Sequence, residues 1–315
     1  MKTCAILPVL LLSLFYHTLP EYHQSGRCPE YVYETFKTFV NVADVQPQDP
    51  AVNNKISPQN AGWQQLAPGM ELKYFNAKKP SAVGDSRFTV LRIDPNTWEM
   101  VFAGISLSGE ASGRTAREWC KAQSLVAATN AGMFETDYKT HTGYLQYKNH
   151  INSRQVNEYQ SVAAFGPRRP GQPSFKIFDL DTPGVNIKSI LADYESAVQN
   201  LRLIKRPGLN RWPASNQRKW SEAALGEDAA GRILFVFTRS PFSMHDFNQE
   251  LLSAGIGLVA AQHLEGGPEA QLFVKTDDFT LEQFGSHETG FREDDRNRTT
   301  WPVPNVLGLR QKTAK

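Results

Sequence analysis

Residues 232–276, RILFVFTRSPFSMHDFNQELLSAGIGLVAAQHLEGGPEAQLFVKT, decide how the chain is built. RILFVFT is an apolar run of the length expected for a strand buried on both faces. Ser243 then stands at the N-cap of MHDFNQELLSAG, with Asp246 at the third helical position and Gly255 past the last turn, the start and stop signals of a helix. GLVAAQHL is a second buried-strand run and AQLFVKT a third. Strand, helix and strand with short connections predict an α+β fold: a mixed, largely antiparallel sheet with packed helices, in a single main domain. GLVAAQHL ends by placing a carboxylate, Glu265, before two glycines, Gly266 and Gly267. A solvated Glu beside a two-glycine turn and a catalytic carboxylate at a strand end both fit that local signal.

Upstream, RFTVLRIDPNTWEMVFAG (residues 87–104) reads as a hairpin, because apolar alternation resumes after Asp94-Pro95-Asn96. Thr115 and Glu118 stand at capping-box spacing, and Ala116, Trp119 and Cys120 fall on one face of the helix they open. LVAAT after it predicts a strand ending at NAGMF. Further strands are expected at SVAAFG, SFKIFDL and LRLIK. Residues 44–60, DVQPQDPAVNNKISPQN, bury little and read as a loose arm. The expected division is a leader at 1–27, an arm at 28–62 and a folded domain at 63–315.

The chain has 315 residues, 40% hydrophobic and 21% charged, with a net charge of +2, which fits a globular protein with a sizeable core. It carries no long Lys/Arg stripe, so a nucleic-acid partner is not expected. Lys2 precedes CAILPVLLLSLFY (residues 4–16), an apolar stretch of signal-peptide length and short for a bilayer. Export to the periplasm or medium is therefore expected, with residues 1–27 as a cleaved signal or an N-terminal anchor and no other membrane span. Cys28 and Cys120 are able to pair in an oxidising compartment, but two unrelated thiols fit equally well.

Three segments have residue types suited to chemistry. ATNAGMF (128–134) delivers Asn130 and then Gly132 at a strand end, where backbone can approach a ligand, although an ordinary Asn-x-Gly turn has the same composition. RKWSEAALG (218–226) places Arg218 ahead of an apolar patch, and a guanidinium matches phosphate oxygens in a bidentate fork. HLEGG (263–267) is the third. In this order they resemble the phosphodiester glycosidase family, which shows Thr/Leu-Asn-Gly-Gly-aromatic-Phe, then Arg before Ala-hydrophobic-Gly, then Leu-Asp-Gly-Gly. The counterparts here are Thr129 to Phe134, Arg218 with Ala223 to Gly226, and Leu264 to Gly267. HTGYLQYKNH (141–150), with Gly143, resembles the family's next hairpin and WPVPNVLGL (301–309) its closing strand, so the resemblance spans about residues 65–310. Ala131 stands where the family has Gly, Glu265 where it has Asp, and Pro268 and Glu269 where small residues usually follow.

The resemblance implies an exported hydrolase that cleaves the glycosidic bond of a sugar-1-phosphodiester, with a sugar-phosphate or an envelope or exopolysaccharide as partner. It implies Glu265 as the catalytic carboxylate; no second one is marked, and Asp137, just past the first motif, is the nearest candidate, with a solvated loop Asp as the other reading. Asn130, Gly132, Arg218, His263, Gly266 and Gly267 are the substrate-binding residues it implies. Such a site needs carboxylates near the anomeric carbon and donors around the phosphate. A non-catalytic polysaccharide-binding or assembly protein on the same fold is the alternative. No cofactor is implied. His141, His245 and His263 lack metal-site spacing, and a divalent cation held by carboxylates and water stays open. A serine or cysteine hydrolase lacks a G-x-S-x-G or a Cys/His setting. Asn297-Arg298-Thr299 matches a glycosylation sequon.

Overall fold

The computed structural model describes residues 62–312. The leader at 1–27, the arm up to residue 61 and Cys28 lie outside the described residues. Eighteen strands form three sheets, and every strand pairing among the described residues is antiparallel. Sheet A runs β1 (Gln64–Ala67), β2 (Met70–Asn76), β3 (Arg87–Ile93), β14 (Ile233–Phe242), β13 (Trp220–Asp228), β15 (Leu258–Gly266), β11 (Arg202–Lys205), β12 (Leu209–Asn210). Sheet B runs β7 (His150–Ser153), β6 (Leu145–Tyr147), β10 (Tyr194–Asn200), β8 (Ser161–Pro167), β9 (Phe175–Asp179). Sheet C runs β17 (Thr280–Phe284), β16 (Gln271–Lys275), β5 (Ala127–Asn130), β18 (Asn305–Gln311), β4 (Trp98–Gly104). The four α-helices of the described residues are α1 (Ile105–Ser108), α2 (Ala116–Gln123), α3 (Ile187–Asp193) and α4 (Met244–Ser253).

All three sheets contribute one face to a common core. Leu91, Leu225 and Phe235 come from sheet A, Phe165 and Val198 from sheet B, and Phe102, Leu272 and Leu307 from sheet C. Each fully buried side chain of this size contributes about 2–3 kcal/mol relative to exposure. The outer faces are covered separately. Met244, Phe247 and Leu251 of α4 pack on Phe88, Val236 and Ala261 of sheet A. Trp119 and Cys120 of α2 pack on Val101, Ala128 and Val306 of sheet C, and Ile190 of α3 packs on Val162 and Ala164 of sheet B.

The α+β expectation, a mixed sheet with packed helices, is therefore corrected to a mostly β architecture of three antiparallel sheets. Strands covered on both faces lose their alternation, so β13, β14 and β15 read as continuous apolar runs, as strands of parallel sheets do. The helix following β14 does cover sheet A, but β13 lies between β14 and β15 and runs antiparallel to both. The hairpin expected at 87–104 is likewise absent. Asp94 to Asn96 form a corner instead, sending β3 into sheet A and β4 into sheet C. Leu91 and Ile93 then meet Met100 and Phe102 in the common core rather than side by side.

The local end signals hold. Thr115 and Glu118 make a reciprocal capping box on α2. Ser243 accepts from the Asp246 N–H to cap α4, and Gly255 follows it at φ 64°. HTGYLQYKNH folds as the β6–β7 hairpin, and β18 is a central strand of sheet C between β4 and β5. Cys120 is buried with a free thiol, which burial pushes above its ordinary pKa. No helix of the described residues is long and apolar enough to cross a membrane, which says nothing of strands.

Candidate active site

The end of β15 is shaped by one extra residue. On β13, Ala223 pairs with Glu265 and the next residue, Ala224, pairs with His263, so Leu264 is inserted as a bulge. Directly paired residues share a face. Ala223 belongs to the common core and Ala224 to the α4 side. Glu265 is thereby aimed toward the junction of the three sheets and His263 toward the α4 side, the re-aiming that a bulge provides. The two glycines that follow have separate reasons. A Cβ on Gly266 would meet the Trp220 ring at 2.7 Å. Gly267 has φ 65°, and a Cβ there would meet Glu288 Oε2 at 2.9 Å.

The end of β5 secures this turn. Asn130, 2% exposed, donates Nδ2 to the Glu269 carbonyl at 2.9 Å and accepts from the Gln271 N–H at 2.7 Å. Thr129 Oγ1 donates to the Gln271 carbonyl at 2.8 Å. The Asn130 side chain therefore fixes the 3-10 turn Gly267–Glu269 that carries the second carboxylate. Asn130→Ala strips two buried backbone groups of their partner, at about 1–3 kcal/mol each. Urea unfolding of that variant should show a loss of about 2–6 kcal/mol.

Four carboxylates gather around the turn: Glu222, Glu265, Glu269 and Glu288. Glu265 is buried, and its Oε1 accepts from the Gly266 N–H at 3.0 Å. Burial pushes its pKa well above the carboxylate range, and the charges of Glu269, Glu288 and Glu222 push the same way, against the Gly266 hydrogen bond. Burial, followed by the charge of Glu288, raises Glu269 to about 8. On the α4 side, Glu222 accepts from His263 Nδ1 at 2.6 Å and from Trp220 Nε1. Burial raises Glu222 as well, opposed by His263. Among the described residues no group of three or more His, Cys, Asp or Glu is placed to hold a metal ion.

Of the residues singled out in the sequence, Asn130, Glu265, Gly266 and Gly267 come together at this turn. Gly132 lies two residues beyond β5 at φ 144°, and a Cβ there would fall 2.2 Å from Asn200 Oδ1 and 2.3 Å from His141 Nε2. Arg218 lies at the same end of sheet A, two residues before β13, with an exposed side chain. Its backbone N–H donates to Asn216 Oδ1. Asp137 sits in an exposed turn, where its carboxylate accepts from the Lys139 and Thr140 N–H groups and the Thr140 hydroxyl. His263 is engaged with Glu222 on the other face. Asn297 is 3% exposed and donates Nδ2 to the Gly285 carbonyl at 2.7 Å, so the folded chain does not present that sequon. The sequence marks Glu269 only as a departure from the family pattern and does not mark Glu222 or Glu288 at all. Glu222 lies within the segment RKWSEAALG, but nothing local marks it as facing His263.

A sequence profile of the phosphodiester glycosidase family matches residues 123–310, from the last residue of α2 into β18, and leaves β1 to β4 outside it. In structure the chain is similar to zebrafish N-acetylglucosamine-1-phosphodiester alpha-N-acetylglucosaminidase, as the catalytic domain auto-inhibited by its pro-peptide. That match has a TM-score of 0.57 and 11% identity over 79% of this chain and 86% of that one. It is also similar to a hypothetical protein from Synechocystis, with a TM-score of 0.51 and 14% identity over 79% of this chain and 63% of that one. At these identities the likeness is one of fold. No curated protein matches the sequence.

Proposed function

The chain belongs to the phosphodiester glycosidase family, and from that premise we propose that it hydrolyses the glycosidic bond of a sugar-1-phosphodiester at the carboxylates around Glu265. The observation that supports this most is the presence of Glu265 and Glu269 on one turn, a buried and a half-buried carboxyl whose proton affinities are raised by desolvation and by neighbouring carboxylates. Carboxyls that keep protons at neutral pH let an anionic phosphodiester approach where four ionised groups would repel it. As the bond between the anomeric carbon and the phosphate oxygen stretches, positive charge grows on the sugar. Glu265 gives its proton to the departing phosphate oxygen as the bond breaks, and the carboxylate left behind stabilises the oxocarbenium-like state. Water adds to the anomeric carbon and loses a proton to the carboxylate group. The phosphate departs as a monoester, a good leaving group that needs little help from an acid.

The apolar stretch at residues 4–16 supports an exported enzyme, secreted or periplasmic, acting on an envelope or exopolysaccharide phosphodiester. The full chain incubated with UDP-N-acetylglucosamine in ¹⁸O-water tests the reaction. Cleavage at the glycosidic bond puts the label in the sugar and none in UDP. Label in a phosphate product would mean a phosphodiesterase. Binding without turnover would mean a polysaccharide-binding or assembly protein on the same fold.

A further inference from the structure

The β13–β15 ladder admits a second register, one without the bulge at Leu264. In it the pairing of Ala224 with His263 would run on to Ala223 with Leu264 and Glu222 with Glu265. Directly paired residues share a face, so Glu265 would then lie on the α4 side with its carboxylate against that of Glu222. A one-residue change of register sends each following side chain to the opposite face. Whatever holds the observed register therefore also aims the Glu265 carboxylate.

Glu222 is joined to the chain on both sides of the bulge. It is 2% exposed, and each of its carboxylate oxygens has its own donor. Oε1 accepts from Nδ1 of His263, before the bulge, at 2.6 Å, and Oε2 accepts from Trp220 Nε1. The Trp220 ring in turn lies on Gly266, after the bulge. Its Cδ1 and Cγ are 2.7 and 3.0 Å from where a Gly266 Cβ would stand. The Trp220 and His263 rings meet edge to face with centroids 6.0 Å apart, a favoured aromatic arrangement. The His263 N–H donates to the Leu201 carbonyl at 2.9 Å. Residues 263 and 266 are thus both fixed on the α4 side, which leaves Leu264 and Glu265 to the opposite face. There Glu265 closes on the turn, its Oε1 accepting from the Gly266 N–H at 3.0 Å. Glu222 also stands directly opposite the position Glu265 would take without the bulge, where like charges disfavour that register. A buried carboxylate with both oxygens bonded is a rigid part, and such supporting bonds hold reactive groups to the tolerance chemistry needs.

Resting on the proposed glycosidase reading, we propose that Glu222 is a positioning residue: by holding His263 and Trp220 it keeps the Leu264 bulge and so sets Glu265 at the anomeric carbon. Glu222→Gln has one oxygen for two donors, so one arm of this clamp is released while the side-chain volume is kept. In the full chain with UDP-N-acetylglucosamine, kcat should fall about 10²-fold, the effect of misplacing a reactive group by about 1 Å. KM should change by less than about threefold, because no ground-state contact with the substrate is removed. Added to Glu265→Gln, the same substitution should cost no more than about twofold, since both act through one group. A second readout needs no turnover: hydrogen exchange of the Gly266 amide. Labelling Glu carbonyl carbons and Gly nitrogens isolates its signal, because Glu265-Gly266 is the one Glu-Gly step in the sequence. Exchange should be at least about tenfold faster in Glu222→Gln, as the bond from that amide to Glu265 is lost. If the unmodified chain turns over, an unchanged kcat, an unchanged exchange rate or an equal loss in the Glu265→Gln background overturns the clamp and leaves the reaction standing. If the unmodified chain does not turn over, faster exchange in the variant keeps the clamp and removes the reaction, and unchanged exchange overturns both. Should Glu222→Gln fail to fold, Trp220→Phe, which keeps a ring on Gly266 and removes its donor, is read in the same way.

Discussion

Glu265→Gln should cut sugar release by at least about 10³-fold and leave the fold intact. The magnitude is that of removing a carboxylate that both carries a proton and faces developing charge. Gln keeps the length of the side chain and an oxygen able to accept from the Gly266 N–H, so the β15 turn should survive. It also removes a buried ionisable group whose charged form is disfavoured there, so the melting temperature at neutral pH should be equal or higher. Loss of activity together with retained or increased stability would separate a chemical role from a structural one. Equal release from both proteins would show that the carboxylate has no part in the reaction. Glu265→Asp is the sharper companion. It supplies the acid that the family motif carries but withdraws the carboxylate by more than ~1 Å from the place the Leu264 bulge gives it, and reactive geometry is sensitive to such shifts. A drop of more than about tenfold is expected. Unchanged or increased activity in that variant would mean that the site tolerates either length.

The parts legible in the sequence are those set by near neighbours. Thr115 with Glu118 and Ser243 with Asp246 mark helix starts because a cap satisfies its own first turn. The β6–β7 hairpin and the β18 strand are legible through the family resemblance. The sheets do not, because pairing partners lie far apart in the chain. Nothing in Asp94-Pro95-Asn96 tells a hairpin turn from a corner between sheets. The site divides in the same way. Asn130, Glu265, Gly266 and Gly267 form motifs and meet at one turn. Glu269 and Glu288 acquire meaning only when Asn130 anchors the backbone beside one and Gly267 makes room for the other. The opposite aims of His263 and Glu265 are also invisible, since the bulge shows only in the register with β13.

Stability should fall as pH rises from about 6.5 to 8, and Glu269→Gln should remove much of that fall. Glu269 holds its proton up to about 8 in the fold, whereas an unfolded chain ionises Glu near 4.3. Between those values the folded state carries a proton that the unfolded state has lost, so raising the pH favours unfolding. The slope for one such group is about 1.4 kcal/mol per pH unit, present until pH passes the folded value. Glu265 acts in the same direction. Buried His141 and the lowered His287 oppose it, but only where an unfolded histidine is protonated, below about 6.5. The lowered Asp137, Asp181 and Asp246 act further down, toward pH 4. The raised Glu222, Glu227 and Glu282 act in the same direction as Glu265, so the Glu269→Gln variant is what assigns the fall to the turn. Melting temperatures across this pH window should drop in the unmodified protein and change less in Glu269→Gln, with the variant the more stable at pH 8. A flat profile in the unmodified protein would mean that Glu269 is solvated enough to ionise normally. The same ionisation adds negative charge where a phosphodiester must bind, so KM should climb through the interval in which stability falls. Because one proton would govern both, Glu269→Gln should flatten the KM profile and the melting profile together.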